Sequence, residues 1–187
     1  MNTQAYTLTN DTVRQIIKPY QKNGTKKEIA SVMLFDDANT SSTAKEVKGA
    51  QSTASSVSFS THDIFQTLAD SDTTHQKGVI FHNHIQDLHH ANTHSEQDEH
   101  QHRENKRNYA QGPLQYMGSG LVSVSSAGNF HIKFRESHTD ELATILHNNV
   151  QAQEVVFNKQ GKMVGYNSTT TLNPNDNTIN TRAYTSI

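Results

Sequence analysis

The sequence predicts an α/β fold organised around one principal domain, and three observations support this prediction. The chain has 187 residues, which is long enough for one domain with a core and short for two. Only 32% of the residues are hydrophobic and there is no Trp, so the apolar residues must be concentrated in a few segments. Two of these segments are typical of buried strands, and a helical segment stands between them.

Charge and hydropathy exclude several classes of function. The 16 basic and 18 acidic residues give a net charge of -2, which lacks the basic excess that non-specific nucleic-acid binding needs. No segment approaches the roughly 18 consecutive apolar residues of a membrane span, and the first residues lack the charged-then-apolar order of a secretory signal. We therefore expect a soluble, cytoplasmic protein without a nucleic-acid or membrane partner. The sequence leaves the oligomeric state open.

The first two elements are a helix and a buried strand. A cap at Thr9-Asn10-Asp11 precedes a short amphipathic helix whose apolar residues are Val13, Ile16, Ile17 and Tyr20. This helix should kink or end between Pro19 and Gly24, because proline lacks an amide donor and clashes with the preceding turn. The almost continuous apolar run from Glu28 to Phe35 predicts a buried strand that ends in a turn.

The central part of the chain contains a second helix and a second strand. Residues 39–56 are rich in Ser, Thr, Ala and Lys and predict only a weak edge strand around Lys45–Lys48. Ser60-Thr61 then caps a helix over about 61–70, whose apolar stripe is Ile64, Phe65 and Leu68. Gly78–Ile85 is the second strong strand candidate. The order strand, helix, strand is similar to a βαβ unit.

The remaining elements alternate between polar and apolar segments. Residues 86–108 predict a loop followed by a polar helix. Leu121–Ser125 and Phe130–Phe134 predict a hairpin around residues 127–129. A helix should follow, capped at Thr139-Asp140-Glu141 and buried through Leu142, Ile145 and Leu146. Residues 155–157 and 163–166 predict a second hairpin, and the Thr/Asn-rich tail after Asn167 should be loosely ordered.

Histidine is unusually frequent in this sequence. Eight of the 12 His lie between His75 and His102, whereas Cys is absent from the sequence. Without Cys, disulfides and thiolate sites are excluded, so any bound metal must be held by imidazole and carboxylate groups.

One His pair has the spacing of a chelating site. Alternation along a strand puts His82 and His84 on the same side, at the end of the second strong strand. Asp98, at the start of the next helix, can supply a carboxylate and complete a set of three ligands with a fourth position left open. Catalytic zinc is held in this way, and zinc lowers the pKa of a bound water to about 7. Glu28 is then a candidate general base, and Ser95 a candidate donor to an oxyanion.

These residues resemble the motif of a known family. A glutamate that opens an apolar strand, then His-x-His, then Ser-x-x-Asp is similar to the JAMM motif of the JAB/MPN metalloproteases, most of all to their RadC-like branch. The similarity extends to Glu28–Asp36, to Lys45-Glu46-Val47 with Gly49, and to Ser60–Phe65, and it covers about residues 26–136. Ile85 stands where that branch usually has proline.

The resemblance implies a fold, an activity and a domain organisation. It implies an MPN/JAB-like fold, of the cytidine-deaminase-like type, with a mixed curved sheet flanked by helices. It implies one zinc ion on His82, His84 and Asp98, and a hydrolase that cleaves a peptide or isopeptide bond in a peptide or protein-conjugate substrate. Glu28 would act as the general acid and base, and Ser95 would stabilise the tetrahedral intermediate. The chain would then divide into an N-terminal helical segment (1–25), the metal-binding domain (26–136), a C-terminal helix and hairpin packing on it (137–166) and a polar tail (167–187).

Simpler interpretations stay open. His82 and His84 can be an exposed pair on a strand, Ser95 and Asp98 a plain helix cap, and Glu28 a solvated residue at a strand edge. Three further His in the following segment can compete for a metal: His89, His90 and His94. Other His in 86–102 should mostly hydrate a loop, and His131, His138 and His147 should be surface or packing residues; Ser60 to Asp63 repeats Ser-x-x-Asp but should be a cap. The alternative functions are a non-catalytic MPN-like scaffold and a His-rich metal-binding protein.

Overall fold

The computed structural model describes residues 4–23, 26–69, 76–84, 96–109, 114–167 and 185–187. Within these ranges the helices are α1 (Asn10–Asn23), α2 (Thr61–Thr67) and α3 (Glu96–Asn108). The strands are β1 (Ala5–Thr7), β2 (Ala30–Phe35), β3 (Ser41–Glu46), β4 (Gln51–Ser52), β5 (Val57–Ser58), β6 (Gln76–His82), β7 (Leu114–Val124), β8 (Phe130–Glu136), β9 (Thr144–His147), β10 (Val150–Ala152), β11 (Glu154–Phe157), β12 (Met163–Asn167) and β13 (Thr185–Ser186).

Most of the described strands belong to one large mixed sheet. Its eight strands follow the order β13-β12-β11-β8-β7-β6-β2-β3, and two smaller sheets consist of β1-β9-β10 and β4-β5. Neighbours in the large sheet are antiparallel except for β6 and β7, which are parallel. The prediction of an α/β protein is therefore confirmed, with a large mixed sheet and few helices. None of the helices in the described ranges is both long and apolar enough to pass through a bilayer.

The parallel crossover lies one unit later than the sequence suggested. β2 and β6 are neighbours, as a βαβ order predicts, but they run antiparallel and pair Met33 with Val79. The reason is β3, which forms a six-residue edge strand rather than the weak strand expected around residues 45–48, and which reverses the chain before α2. The parallel pair is instead β6 and β7, and α3 is the helix between them in the chain.

Helix α1 packs on one face of the sheet. Its buried residues are Thr12, Val13, Ile16, Ile17 and Tyr20, which confirms the predicted stripe. The helix continues past Pro19 and ends at Asn23, inside the range predicted for its end. The core beneath this face contains edge-to-face aromatic pairs, with ring centroids 4.9 Å apart for Tyr6 and Phe134 and 6.1 Å apart for Phe81 and Phe134. Such pairs add to the stabilisation from burial alone.

Helices α2 and α3 lie on the opposite face. The cluster there combines strand residues such as Val32 and Ile80 with Ile64 of α2 and Tyr109, which follows α3. Ser60 begins α2 with a capping box, because its hydroxyl accepts from the Asp63 amide at 3.1 Å while the Asp63 carboxylate accepts from the Ser60 amide at 2.8 Å. The interpretation of this second Ser-x-x-Asp as a cap is therefore confirmed.

The predicted helix beginning at residues 139–141 is wrong. Asp140 adopts a left-handed conformation (φ 58°) in a turn, and Thr144–His147 forms β9, in which Ile145 and His147 are buried and their neighbours are not fully so. Asn148 and Asn149 also have positive φ and turn the chain into β10, as in the two-residue hairpin turns that favour Asn. In the segment 137–166, strands β9 and β10 therefore stand in place of the predicted helix.

Both predicted hairpins are present. β7 pairs with β8 through a turn in which the Ser125 amide donates to Asn129 O at 2.9 Å, and β11 pairs with β12. β7 begins at Leu114, earlier than expected, because the strand also pairs with β6. Most of the predicted loose tail, residues 168–184, lies outside the described residues, and β13 pairs with β12.

Candidate metal centre

The candidate centre lies where β6 ends and α3 begins. His82 is the last residue of β6, His84 follows two residues later, and Asp98 lies in the first turn of α3. The side chain of His82 shares the face of Ile80, which α2 and α3 cover. The crossover from β6 to β7 thus brings a strand end and a helix start together on one face of the sheet.

The three predicted ligands converge on one point. His82 Nε2 lies 3.0 Å from His84 Nε2. The carboxylate of Asp98 spans both rings, with Oδ1 2.9 Å from His82 Nε2 and Oδ2 2.9 Å from His84 Nε2. The three side chains are only 11–15% exposed, so this is not a pair of exposed His on a strand. His82, His84 and Asp98 form a group that can hold a metal ion.

The geometry fits one small divalent cation. Ligand bonds of about 2.0–2.1 Å in tetrahedral directions place neighbouring ligand atoms about 3.3 Å apart. The observed separations of 2.9–3.0 Å are close to that value and would open slightly around an ion. Two imidazoles and one carboxylate are also a common donor set for transition metals, and they leave a coordination position open for another group.

Electrostatics prepares the carboxylate for a cation. Burial by itself raises the pKa of Asp98, but the imidazoles of His82 and His84 outweigh it and hold that pKa far below its ordinary value. Asp98 is therefore ionised over the whole physiological range of pH. Metal binding requires a deprotonated carboxylate, so this ligand needs no proton release before it binds.

Glu28 lies beside the three ligands and is buried, with 8% of its surface exposed. It precedes β2, and since Ala30 pairs with His82 in antiparallel register, Glu28 falls opposite His84. Burial raises the pKa of its carboxyl above the ordinary value, the imidazoles of His84 and His82 oppose the shift, and the Asp98 carboxylate adds to it. The interpretation of Glu28 as a solvated edge residue is therefore wrong.

Asn83 is a residue of the site to which the sequence analysis gave no role. It stands between the two His, so alternation turns its side chain to the opposite face, where it is fully buried. Its Oδ1 accepts from the Ile29 amide at 2.7 Å, and its Nδ2 donates to Lys27 O at 3.3 Å. The Asn83 amide therefore holds the backbone on both sides of Glu28. The available signal was a hydrogen-bonding side chain at an inward position of an apolar strand.

Several predicted residues lie outside the described part of the chain. These are Ser95, the candidate oxyanion donor, and the possible competing ligands His89, His90 and His94, together with Ile85. Helix α3 begins at Glu96, directly after Ser95, as a helix-start pattern predicts.

His102 is a correction to the sequence analysis, which treated it as a residue that hydrates a loop. It is on α3 and only 2% exposed. Its Nδ1 lies 2.6 Å from Tyr116 Oη and 2.9 Å from Ser119 Oγ, and its Nε2 lies 3.1 Å from Asp140 Oδ1. The signal that was missed is spacing, because His102 follows Asp98 by four residues and shares its helix face.

The His outside this region are surface or packing residues, as predicted. His131 Nδ1 lies 2.8 Å from Glu154 Oε1, and both side chains are buried. His147 Nδ1 donates to Leu8 O at 2.7 Å and packs edge-to-face on Phe157. His138 is exposed.

Neither a protein-family model nor a curated protein sequence matches this chain. The functional interpretation therefore depends on the residues of the site, and on the geometry in which the fold holds them.

Proposed function

We propose that the protein is a zinc-dependent hydrolase of the JAMM type that cleaves a peptide or isopeptide bond. The observation that carries this proposal is the convergence of His82, His84 and Asp98 within 3.0 Å, with the buried carboxyl of Glu28 opposite His84 in the strand register. A ligand set next to a carboxyl with a raised pKa is what metal-assisted hydrolysis requires.

Zinc is the ion that the donor set favours. Cys is absent from the sequence, and imidazole with carboxylate suits the three-ligand sites of catalytic zinc. When bound, such an ion polarises the scissile carbonyl and lowers the pKa of a coordinated water to about 7. His82, His84 and Asp98 would hold it, next to the carboxyl of Glu28.

Glu28 would carry the proton in the reaction. A carboxyl with a raised pKa accepts a proton from water more readily than an ordinary glutamate, and it can then donate that proton to the leaving amine. Asn83 fixes the backbone at residues 27 and 29, so Glu28 is held in place while the proton moves. Ser95, which immediately precedes α3, would donate to the developing oxyanion, as the resemblance to the JAMM motif implies.

A metal analysis combined with hydrolysis assays tests this proposal. The purified protein should contain about one zinc per chain and should hydrolyse members of a panel of peptides and isopeptide-linked conjugates. Glu28→Gln should keep the zinc and lose activity by about 10²–10⁴-fold, because it removes the proton carrier only. His84→Ala should lose the zinc.

Glu46→Gln is the matched control, since Glu46 is an exposed carboxylate on the edge strand β3, and it should behave as the wild type. Several metal ions per chain that are indifferent to His84→Ala would instead indicate a His-rich metal-binding protein. Zinc binding with no hydrolysis of any substrate would favour an MPN-like scaffold. A Glu28→Gln variant as active as the wild type would refute the role of Glu28.

A further inference from the structure

Helix α3 supplies Asp98 but has almost no apolar surface with which to dock. None of its 13 residues is hydrophobic, from Glu96 to Asn108. Helices in proteins are normally held by burial of an apolar stripe. On α3 the buried residues are instead polar, His102 and Asn105, and an apolar side chain follows only at Tyr109. The position of this helix must therefore be set by polar contacts.

His102 is at the centre of those contacts. The Asp140 carboxylate only accepts hydrogen bonds, so Nε2 of His102 donates to it across 3.1 Å. Nδ1 then accepts a hydrogen bond from one of the hydroxyls of Tyr116 and Ser119, which lie 2.6 and 2.9 Å away, and these two hydroxyls also hydrogen-bond each other. Both ring nitrogens of a side chain that is 2% exposed are thus satisfied. The Tyr116 and Ser119 end of this network is buried, whereas the Asp140 side chain is 52% exposed. At the buried end a shift of the ring leaves a polar atom unpaired, so these contacts favour one geometry.

The strand side of this network is continuous with the strand that carries His82. Ser119 lies on β7 and pairs with Ile80 of β6, two residues before His82. Tyr116, on the same strand, hydrogen-bonds His102 and stacks on the ring of Tyr109 at 6.1 Å between centroids. β6 and β7 are held in register by backbone hydrogen bonds, so a contact from α3 to β7 also fixes α3 relative to β6.

Two ion pairs also link the same helix to its neighbours. Glu99 pairs with Arg135 of β8, and Lys106 pairs with Asp140. The Asp140 carboxylate therefore receives both His102 and Lys106. These contacts flank the His102 network on α3 and orient the helix without apolar burial.

We propose that His102, Tyr116, Ser119 and Asp140 form a polar latch that positions Asp98 for metal binding. This inference rests on the metal centre of the proposed function. His102 lies one turn after Asp98 on the same face of α3, about 6 Å away. A shift of α3 along β7 moves Asp98 by the same amount relative to His82, the last residue of β6, and to His84, which follows two residues later. Metal sites tolerate only about 0.2 Å in ligand distance, so His102 acts as a positioning residue for the third ligand.

The experiment measures metal affinity rather than activity. The metal-free protein is titrated with Co²⁺, followed by its visible absorption, and with Zn²⁺ in competition with a chromophoric chelator. His102→Ala should weaken metal binding by about 10–100-fold, as loss of a hydrogen-bonded support around a metal ligand does. Tyr116→Phe keeps the ring that stacks on Tyr109 and should weaken binding less. His102→Asn keeps an acceptor near the two hydroxyls and should restore part of the loss.

His100→Ala is the matched control, because His100 lies on α3 between Asp98 and His102 and is exposed. It should leave metal affinity and the Co²⁺ spectrum unchanged. Amide hydrogen exchange of the metal-free protein gives a second readout: residues 99–106 should exchange faster in His102→Ala than in His100→Ala. This comparison also shows whether each variant is folded.

The outcomes separate the latch from the proposed function. If the wild type binds one metal and His102→Ala binds it equally well with an unchanged Co²⁺ spectrum, the positioning role is refuted and the metal centre stands. If the wild type binds no metal, the positioning role of His102 and the proposed metal centre are both refuted. If His102→Ala does not fold, the variants Tyr116→Phe and His102→Asn decide. A metal affinity equal to that of the wild type in both variants would overturn the inference.

Discussion

Helices α1 and α3 pack on opposite faces of the same sheet and are held there by different forces. α1 buries an apolar stripe that includes Val13, Ile16 and Ile17 in the aromatic core. α3 has no hydrophobic residue and docks through His102 and Asn105. The α1 face therefore depends on burial of area, which is tolerant of small displacements, whereas the α3 face depends on hydrogen-bond geometry, which is not.

The two faces therefore have different roles. The α1 face contributes most to stability, and the α3 face carries the candidate site. The side chains buried on the α1 face can be replaced by apolar residues of similar volume while the protein remains stable. The α3 face carries Asp98, one of the three residues that could hold a metal ion, so its geometry matters more than its contribution to the free energy of unfolding. Measurements of stability, metal binding and pH dependence distinguish the two faces.

Truncation in the α1 face should cost the most stability. Phe134 is fully buried and its ring contacts those of Tyr6, Phe35 and Phe81. Phe134→Ala should lower the free energy of unfolding by about 3–5 kcal/mol, because it removes buried area and leaves a cavity. Urea denaturation measures the loss, and the exposed His100→Ala on α3 should change it by less than about 0.5 kcal/mol. If the loss were no larger than that of the control, burial on the α1 face would not be the main source of stability.

Metal should stabilise the α3 face rather than the α1 face. At a free zinc concentration about 100 times the dissociation constant, the free energy of unfolding should rise by about 2.7 kcal/mol. Hydrogen exchange should show local protection at α3 and at the end of β6, with no separate local effect on α1. EDTA should reverse the gain, and Asp98→Asn should not show it. An equal gain in Asp98→Asn would mean that the metal binds elsewhere.

Acid should loosen the α3 face through His102. Burial lowers the pKa of His102, and the nearby Arg135 and Lys106 lower it further, although the hydrogen bond to Asp140 opposes them. The unfolded chain therefore takes up this proton at higher pH than the folded chain. The contribution of neutral His102 to the free energy of unfolding is complete above about pH 6.5, and it is lost as the pH falls through the lowered pKa of His102.

This pH dependence has a direct test. Urea denaturation between pH 8 and pH 5 should show a shallower loss of stability in His102→Asn than in the wild type. His100→Ala should keep the wild-type slope, since His100 is exposed. Parallel curves for the wild type and His102→Asn would show that His102 does not titrate with unfolding.

Local patterns were enough to predict the apolar stripe of α1 and the pairing of His82 with His84. The stripe of α1 follows from helical spacing, and the common side of His82 and His84 follows from strand alternation, so both can be read without knowledge of the rest of the chain. Asp98 needed one more step, that the helix after β6 returns to the end of that strand. The structure brings all three together.

Two errors show where local patterns stop. Leu142, Ile145 and Leu146 have a spacing that also suits a helix, and the prediction overlooked the paired Asn148 and Asn149 that make a hairpin turn. His102 was misjudged for a different reason. Its partners Tyr116, Ser119 and Asp140 come from a distant strand and a turn, and no window of sequence around residue 102 contains them.

The small sheet formed by β1, β9 and β10 has a consequence for the order in which the chain folds. β1 is parallel to β9 and pairs Ala5 with Thr144, so most of the described chain lies between the two paired segments. Pairing at such sequence separation is slow, because loop-closure entropy is lost before any contact is gained. During synthesis β2, β6, α3 and β7 all emerge before β9 exists, so the elements that carry His82 and Asp98 can assemble before β1 meets its partner strand.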